Sequence, residues 1–334
     1  MHARCIPSGV EMTAARVSSV RISLGPLLYY WPRDQVMAFY DEAASWPVDC
    51  VYLGETVCSK RIELRRPDWL QIAKRLTDSG KEVVLSTCEL IESETDLRTL
   101  RKITGNGEFL VEANDLGAVH LLAGKGPFVA GPYLNIYSRP SLELFRGLGA
   151  WRWVMPLELS QAGLQEVLRA GDLNMQTEVF SHGRLPLAVS ARCFTARYNN
   201  QSKDDCGFRC IEHPDGLTVS TRDDVTFLAM NGLQTQSARV YNLIDEVANM
   251  LAMGVTHVRI SPQSRDTDVV VARFHAAAAG AMGDPTARPI PHPTTPWMPD
   301  IACNGYWHGR PGMEWATASD KKTSTTGDKR SAPR

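Results

Sequence analysis

The feature that most constrains this chain is a repeat of short apolar strands, each followed by an amphipathic helix. VRISL (20–24) leads into PRDQVMAFYDEAASW, where Val36, Phe39, Tyr40 and Ala43 fall at i, i+3, i+4 and i+7, the stripe of a helix packed on a core. Pro32 stands at its first turn, where a missing N–H does no harm. DCVYLGE (49–55) is followed by a helix opening at Pro67, carrying Leu70, Ala73 and Leu76 on one face and stopping at Gly80. EVVLSTC (82–88) precedes a helix whose Ser93 and Asp96 form a capping box and whose Gly105 is a natural stop.

The rhythm continues through EFLVEAN (108–114), PFVAGPYLNIY (127–137), WRWVMPLELS (151–160) and MQTEVFSHG (175–183), each with its helix. Val240, Leu243, Ile244, Val247 and Leu251 mark a further helix, and THVRIS (256–261) is the eighth strand, followed by TDVVVARFHAAAAGAM. Eight strand–helix units over roughly 250 residues predict a (β/α)8 TIM-like barrel. A GxGxxG turn after the first strand, which would favour an open doubly wound sheet, is absent.

Two regions break the rhythm and set the domain boundaries. A cysteine-rich insertion at about 190–236 follows the seventh strand, within a barrel spanning 20–282. Residues 1–19 read as an N-terminal extension in which Met12 is a second candidate start, 283–315 as a Pro-rich segment with CNGYW, and 316–334 as a disordered polar tail. A formal net charge of -1 gives no push toward nucleic acid. With no apolar run of membrane-span length and no secretory signal core, the chain reads as cytoplasmic. Eight cysteines in that compartment suggest metal binding or catalysis rather than a disulfide framework.

Cys193, Cys206 and Cys210 crowd the insertion, on the barrel face where sites are built. Cys58, a few residues past the second strand, is within reach of the same face, and Cys88, ending the third, is its rival as a fourth member. Four thiolates suit Zn²⁺ or an iron–sulfur cluster, and the spacing C-x12-C-x3-C with one distant cysteine leaves both open. Lys60, Arg61, Arg192 and Arg209 flank these cysteines, and cations favour thiolates. Glu178, Phe180 and His182 alternate onto one strand face, making Glu178 and His182 candidates for acid–base work or a buried structural pair. Glu55, Glu112, Asn135 and Glu158 are pocket candidates by position alone. HExxH, GxSxG and the phosphate-binding GxxxxGK[ST] are absent, which removes support for a serine or metalloprotease.

EVFSHGRLPLAVSARC (178–193) resembles the signature of the collagenase-like peptidases. Glu178, Phe180, His182, Gly183, Ser190 and Cys193 match, while Pro186, Ala188 and Ala191 replace a cysteine, a serine and a glycine. SLGPLLYYWP, YLGETVCSKR, GEFLVEANDLG, PLAVSARCFTAR, NGLQTQSARVYNL, RISPQ and CNGYW are similar to segments of the shorter, non-peptidase UbiV branch of that family. The resemblance implies a [4Fe–4S] cluster on Cys58, Cys193, Cys206 and Cys210. It also implies a heterodimer with a UbiU-type homologous subunit, acting in oxygen-independent ring hydroxylation for ubiquinone biosynthesis. Prephenate would donate the oxygen, and a lipid-binding accessory protein would present the prenylated substrate. The alternatives are an RNA-modifying hydroxylase component, a zinc-stabilised binding module and, last, a peptidase.

Overall fold

The computed structural model describes residues 19–169, 171, 173–281 and 302–316. The strands are β1 (Arg21–Leu24), β2 (Cys50–Leu53), β3 (Glu82–Ser86), β4 (Leu110–Ala113), β5 (Phe128–Ala130), β6 (Ala150–Val154) and β7 (Gln176–Val189). Between them run α1 (Arg33–Ala43), α2 (Arg66–Asp78), α3 (Glu94–Thr104), α4 (Leu116–Leu122), α5 (Arg139–Gly147) and α6 (Gln161–Arg169). Beyond β7 come α7 (Phe194–Tyr198), β8 (Leu217–Ser220), β9 (Thr226–Asn231), β10 (Gln234–Asn242), α8 (Val247–Ala252), β11 (His257–Ile260), α9 (Thr267–Ala281) and β12 (Ala302–Cys303).

Strands β1 to β7 pair in parallel in chain order, and β11 closes the ring by pairing with both β7 and β1. The chain is therefore a (β/α)8 barrel whose eighth strand is β11. Local signals act as the sequence predicts: Pro32 caps α1, Pro67 lies in the first turn of α2, and Ser93 with Asp96 forms the capping box of α3. Among the described residues, no helix is long and apolar enough to cross a membrane.

The insertion is an arm of the sheet. The second half of β7 leaves the barrel and pairs antiparallel with β10, which pairs with β9, and β9 with β8. The arm thus begins inside β7 and ends at Asn242, wider than 190–236. The helix expected from Val240 is corrected accordingly: Val240 lies in β10 opposite Arg184, and the α-helix starts at Val247. Val240 is buried in either geometry, so its apolar character cannot distinguish a strand from a helix.

The CNGYW segment is an integral part of the fold. Ala302 and Cys303 pair with Val240 and Tyr241, Trp307 is fully buried, and the Asn304 side chain bonds the backbone of Ala316 in both directions. Ala316 is consequently buried rather than the first residue of a free tail. The extension before residue 19, the Pro-rich stretch 282–301 and residues 317–334 lie outside the described residues.

Candidate functional site

A polar network fills the barrel interior. Glu178 is fully buried and accepts hydrogen bonds from Tyr52 Oη at 2.5 Å and Arg259 Nε at 2.8 Å. Arg152, also fully buried, donates through Nη1 to Tyr52 and through Nη2 to both Glu82 oxygens, while Arg259 pairs with Glu112 at 2.8 Å and lies over the Tyr52 ring. Burial alone would raise the Glu178 carboxyl, but Arg259 and then Arg152 overcome it and hold its pKa at about 2. Glu178 is ionised at physiological pH and engaged by Tyr52 and Arg259, which suits a structural anchor rather than a general acid or base.

His182 does not join it. In the pairing of β7 with β11, Arg259 lies opposite Phe180 and Ile260 opposite His182, so Ser181 is an extra residue, a β-bulge. Ser181 approaches Met250 of α8 and His182 stacks edge-on to Phe274 of α9, both on the outer side of the barrel. The alternation expected for Glu178, Phe180 and His182 breaks at this bulge. Burial pushes the imidazole down to about 3, so it is neutral at physiological pH.

Of the positional candidates, Glu112 is in the interior network and Glu55 is at the mouth, where it accepts the N–H groups of Val57 and Cys58. Asn135 and Glu158 are exposed, and Glu158 only accepts a hydrogen bond from Tyr137.

Two of the four predicted cysteines, Cys58 and Cys210, lie beside one guanidinium, that of Arg61. Arg61 is buried and donates to Leu28 O and Asn231 Oδ1, each at 2.7 Å, tying the loops after β1 and β2 to β9. Its charge acts on both Cys58 and Cys210, each of which is also coupled to Cys193. Cys58 and Cys193 pack on the same apolar group, Leu28, Val57 and Leu233. Lys60 lies within electrostatic reach of Cys58 and Cys206, and the Cys193 sulfur accepts the Ala196 N–H. Burial pushes the Cys58 thiol up to about 11 and raises Cys210, with Arg61 opposing both.

Cys88 behaves differently. Its sulfur donates to Glu55 O at 3.0 Å, and burial followed by Glu55 drives its pKa far up. Among the described residues, no three His, Cys, Asp or Glu side chains converge on a single ion position. The thiols share a neighbourhood without closing on a point. Their donor chemistry fits an anionic, thiolate-held group, whose binding would deprotonate the sulfurs beside a fixed cation.

A pocket of about 30 Å³, one water's share of liquid, is lined in part by Leu28, which also packs in the apolar group under Cys58 and Cys193. Its lining includes Glu112, Asn114, Tyr133, Phe180, Arg259 and Ser261. Asn114 Oδ1, Arg259 Nη2 and Ser261 Oγ are buried there without a hydrogen-bond partner, an arrangement that natural proteins reserve for a water or ligand. Behind Tyr133, Gln234 donates to both the Tyr133 hydroxyl and Glu89 Oε1, and burial lifts Glu89 to about 8. Sequence reasoning missed Glu89, Gln234 and Asn231. The segment NGLQTQSARVYNL holds the latter two, but nothing local shows that they face the mouth.

The profile of peptidase family U32 matches residues 35–284. An uncharacterized protease, MJ0090, of Methanocaldococcus jannaschii is 26% identical over 176 residues, 49% of this chain and 43% of the relative. The chain thus spans less than half the length of that curated relative. Among solved structures, the U32 peptidase Mk0906 superposes with a TM-score of 0.42 at 13% identity, covering 73% of this chain and 94% of that one. Dihydropteroate synthase from Thermus thermophilus gives 0.38 at 14% identity, covering 78% and 95%.

Proposed function

The chain belongs to peptidase family U32, and on that premise we propose that it is a UbiV-type iron–sulfur subunit rather than a peptidase. Its partner would be a UbiU-type subunit, and its role the O2-independent hydroxylation of the aromatic ring in ubiquinone biosynthesis. The observation that supports this reading is that Cys58, from the loop after β2, shares one neighbourhood with Cys193, Cys206 and Cys210 of the insertion, with Arg61 acting on Cys58 and Cys210 and Lys60 reaching Cys58 and Cys206. His182 packs edge-on against Phe274 of α9.

Those four cysteines would hold a [4Fe–4S] cluster, which supplies one-electron chemistry when bound. Arg61 offsets the negative charge of the thiolates while Leu28 O and Asn231 fix its position. Arg259 Nη2, Asn114 and Ser261 offer hydrogen-bonding groups suited to a carboxylated oxygen donor such as prephenate. Glu89, raised to about 8 by burial, supplies acid–base capacity beside Tyr133 of the pocket, with Gln234 donating to both and holding them together. A lipid-binding accessory protein would deliver the prenylated ring.

Purification without oxygen, with iron, sulfide and the visible spectrum measured, tests the reading. About four irons per chain, lost on Cys→Ala at any of the four positions but retained in Cys88→Ala, is the expected result. A colourless, zinc-loaded protein would overturn it. In the cell, deletion should abolish ubiquinone in anaerobic growth only, and unchanged anaerobic ubiquinone would remove the pathway assignment.

A further inference from the structure

Neighbouring helices of a (β/α)8 barrel ordinarily pack side by side over the strands. Here α1 packs on α2 and α3 on α4, whereas α2 with α3, like α4 with α5 and α5 with α6, has no comparable contact. Between α2 and α3 lies a cavity of about 370 Å³, in the size range of small-ligand sites and far larger than the mouth pocket. Its apolar walls are Trp69 and Leu70 of α2, Leu85 of β3, and Ile91, Leu100 and Ile103 at or just before α3, and its inner end reaches Glu55, Arg61 and Cys88 at the barrel mouth. At about 30 Å³ per water-sized group, the space takes about a dozen methylenes.

The entrance has the opposite character. Arg65, Arg66 and Lys102 stand exposed on the rim, and among the described residues none makes a side-chain ion pair. The carboxylates in the wall are already engaged. Asp96 accepts N–H groups of Glu92 and Ser93, and Glu55 those of Val57 and Cys58. Ile62, 56% exposed, extends the apolar surface at the cavity. An apolar slot beneath three uncommitted cations matches a molecule with an apolar chain and an anionic head.

We propose that the α2–α3 cleft binds one single-chain anionic amphiphile, its chain between Trp69 and Ile103 and its head among Arg65, Arg66 and Lys102. The occupant needs no bound cluster. Its source is a fatty acid or an isoprenoid phosphate, which share this chemistry.

Calorimetric titration of the full chain with dodecanoate and, separately, farnesyl phosphate tests the site below the micellar range of each. Saturable one-to-one binding of either supports the proposal, and the tighter ligand identifies the source. Butyrate should bind at least about tenfold more weakly, because it gives up most of the apolar contact. Arg66→Glu combined with Lys102→Glu should weaken binding by about tenfold or more. Thr99→Trp, at an exposed position lining the cleft, should block it while leaving the iron content unchanged. Leu70→Trp is the second filler should Thr99→Trp fold poorly. Failure of both probes to saturate overturns the site, as does undiminished binding in a filler variant with parental circular dichroism and melting.

Discussion

The barrel interior and the barrel mouth both hold charge, and they use it in opposite ways. Inside, Arg152, Arg259, Glu82, Glu112 and Glu178 form a network in which each carboxylate meets a guanidinium at hydrogen-bond distance. At the mouth, Arg61 makes its short hydrogen bonds to neutral acceptors, Leu28 O and Asn231, meets Glu55 only at 3.5 Å, and has its charge acting on Cys58 and Cys210 as well. A charge closely matched by neighbouring carboxylates holds strands together. One with a single, more distant carboxylate is less fully neutralised and can also polarise thiols or a ligand. The contrast separates two acidic residues that look alike in sequence: Glu178 is locked as an anion, whereas Glu89 is held near its point of titration.

The largest expected effect is on the interior. Glu178→Ala leaves Arg152 and Arg259 short of a buried counter-charge and should cost about 3–5 kcal/mol in urea unfolding. Parental stability in that variant would break the contrast. Next, Cys58→Ala should abolish iron binding yet change the stability of the metal-free chain by only about 1 kcal/mol, measured by the same unfolding.

Two pH effects sharpen the comparison further. The folded His182 pKa of about 3 lies below its ordinary 6.5, so the folded state binds fewer protons than the unfolded one between these values. That stability is complete above 6.5 and is lost as pH falls toward 3; His182→Leu should flatten the profile in this window. Glu178, likewise depressed, contributes above 4.5 and loses its contribution only as pH falls toward 2. Glu89 runs the other way. Raised from 4.5 to about 8, it costs stability as pH climbs through that range, and Glu89→Gln should remove that slope in a melting series.

Most of the barrel was legible because its signals are local. Pro32, Pro67 and the Ser93–Asp96 box each act within a few residues, and the eight strands follow the predicted order. What was not legible depends on partners far along the chain. Nothing within 175–183 announces that Ser181 is the surplus residue; that is set by pairing with β11, almost 80 positions later. The three insertion cysteines could be placed at the mouth from position, with Cys58 and Cys88 both in reach, since loops following strands share one face. The roles of Asn231 and Gln234 could not, because both depend on how the arm folds back over the loops of β1 to β3.

The Ser181 bulge also makes the barrel sensitive to the register of one strand. Were the same residues to pair with β11 without the bulge, alternation would carry His182 from Phe274 to the side of Glu178 and Phe180, and Arg184, now bonded to the carbonyls of Ser237 and Ala238, would change sides with it. Deleting Ser181, by contrast, would keep His182 opposite Ile260 and facing outward. Within a scaffold of this kind, an alignment that preserves EVFSHG does not by itself preserve the direction in which its histidine looks.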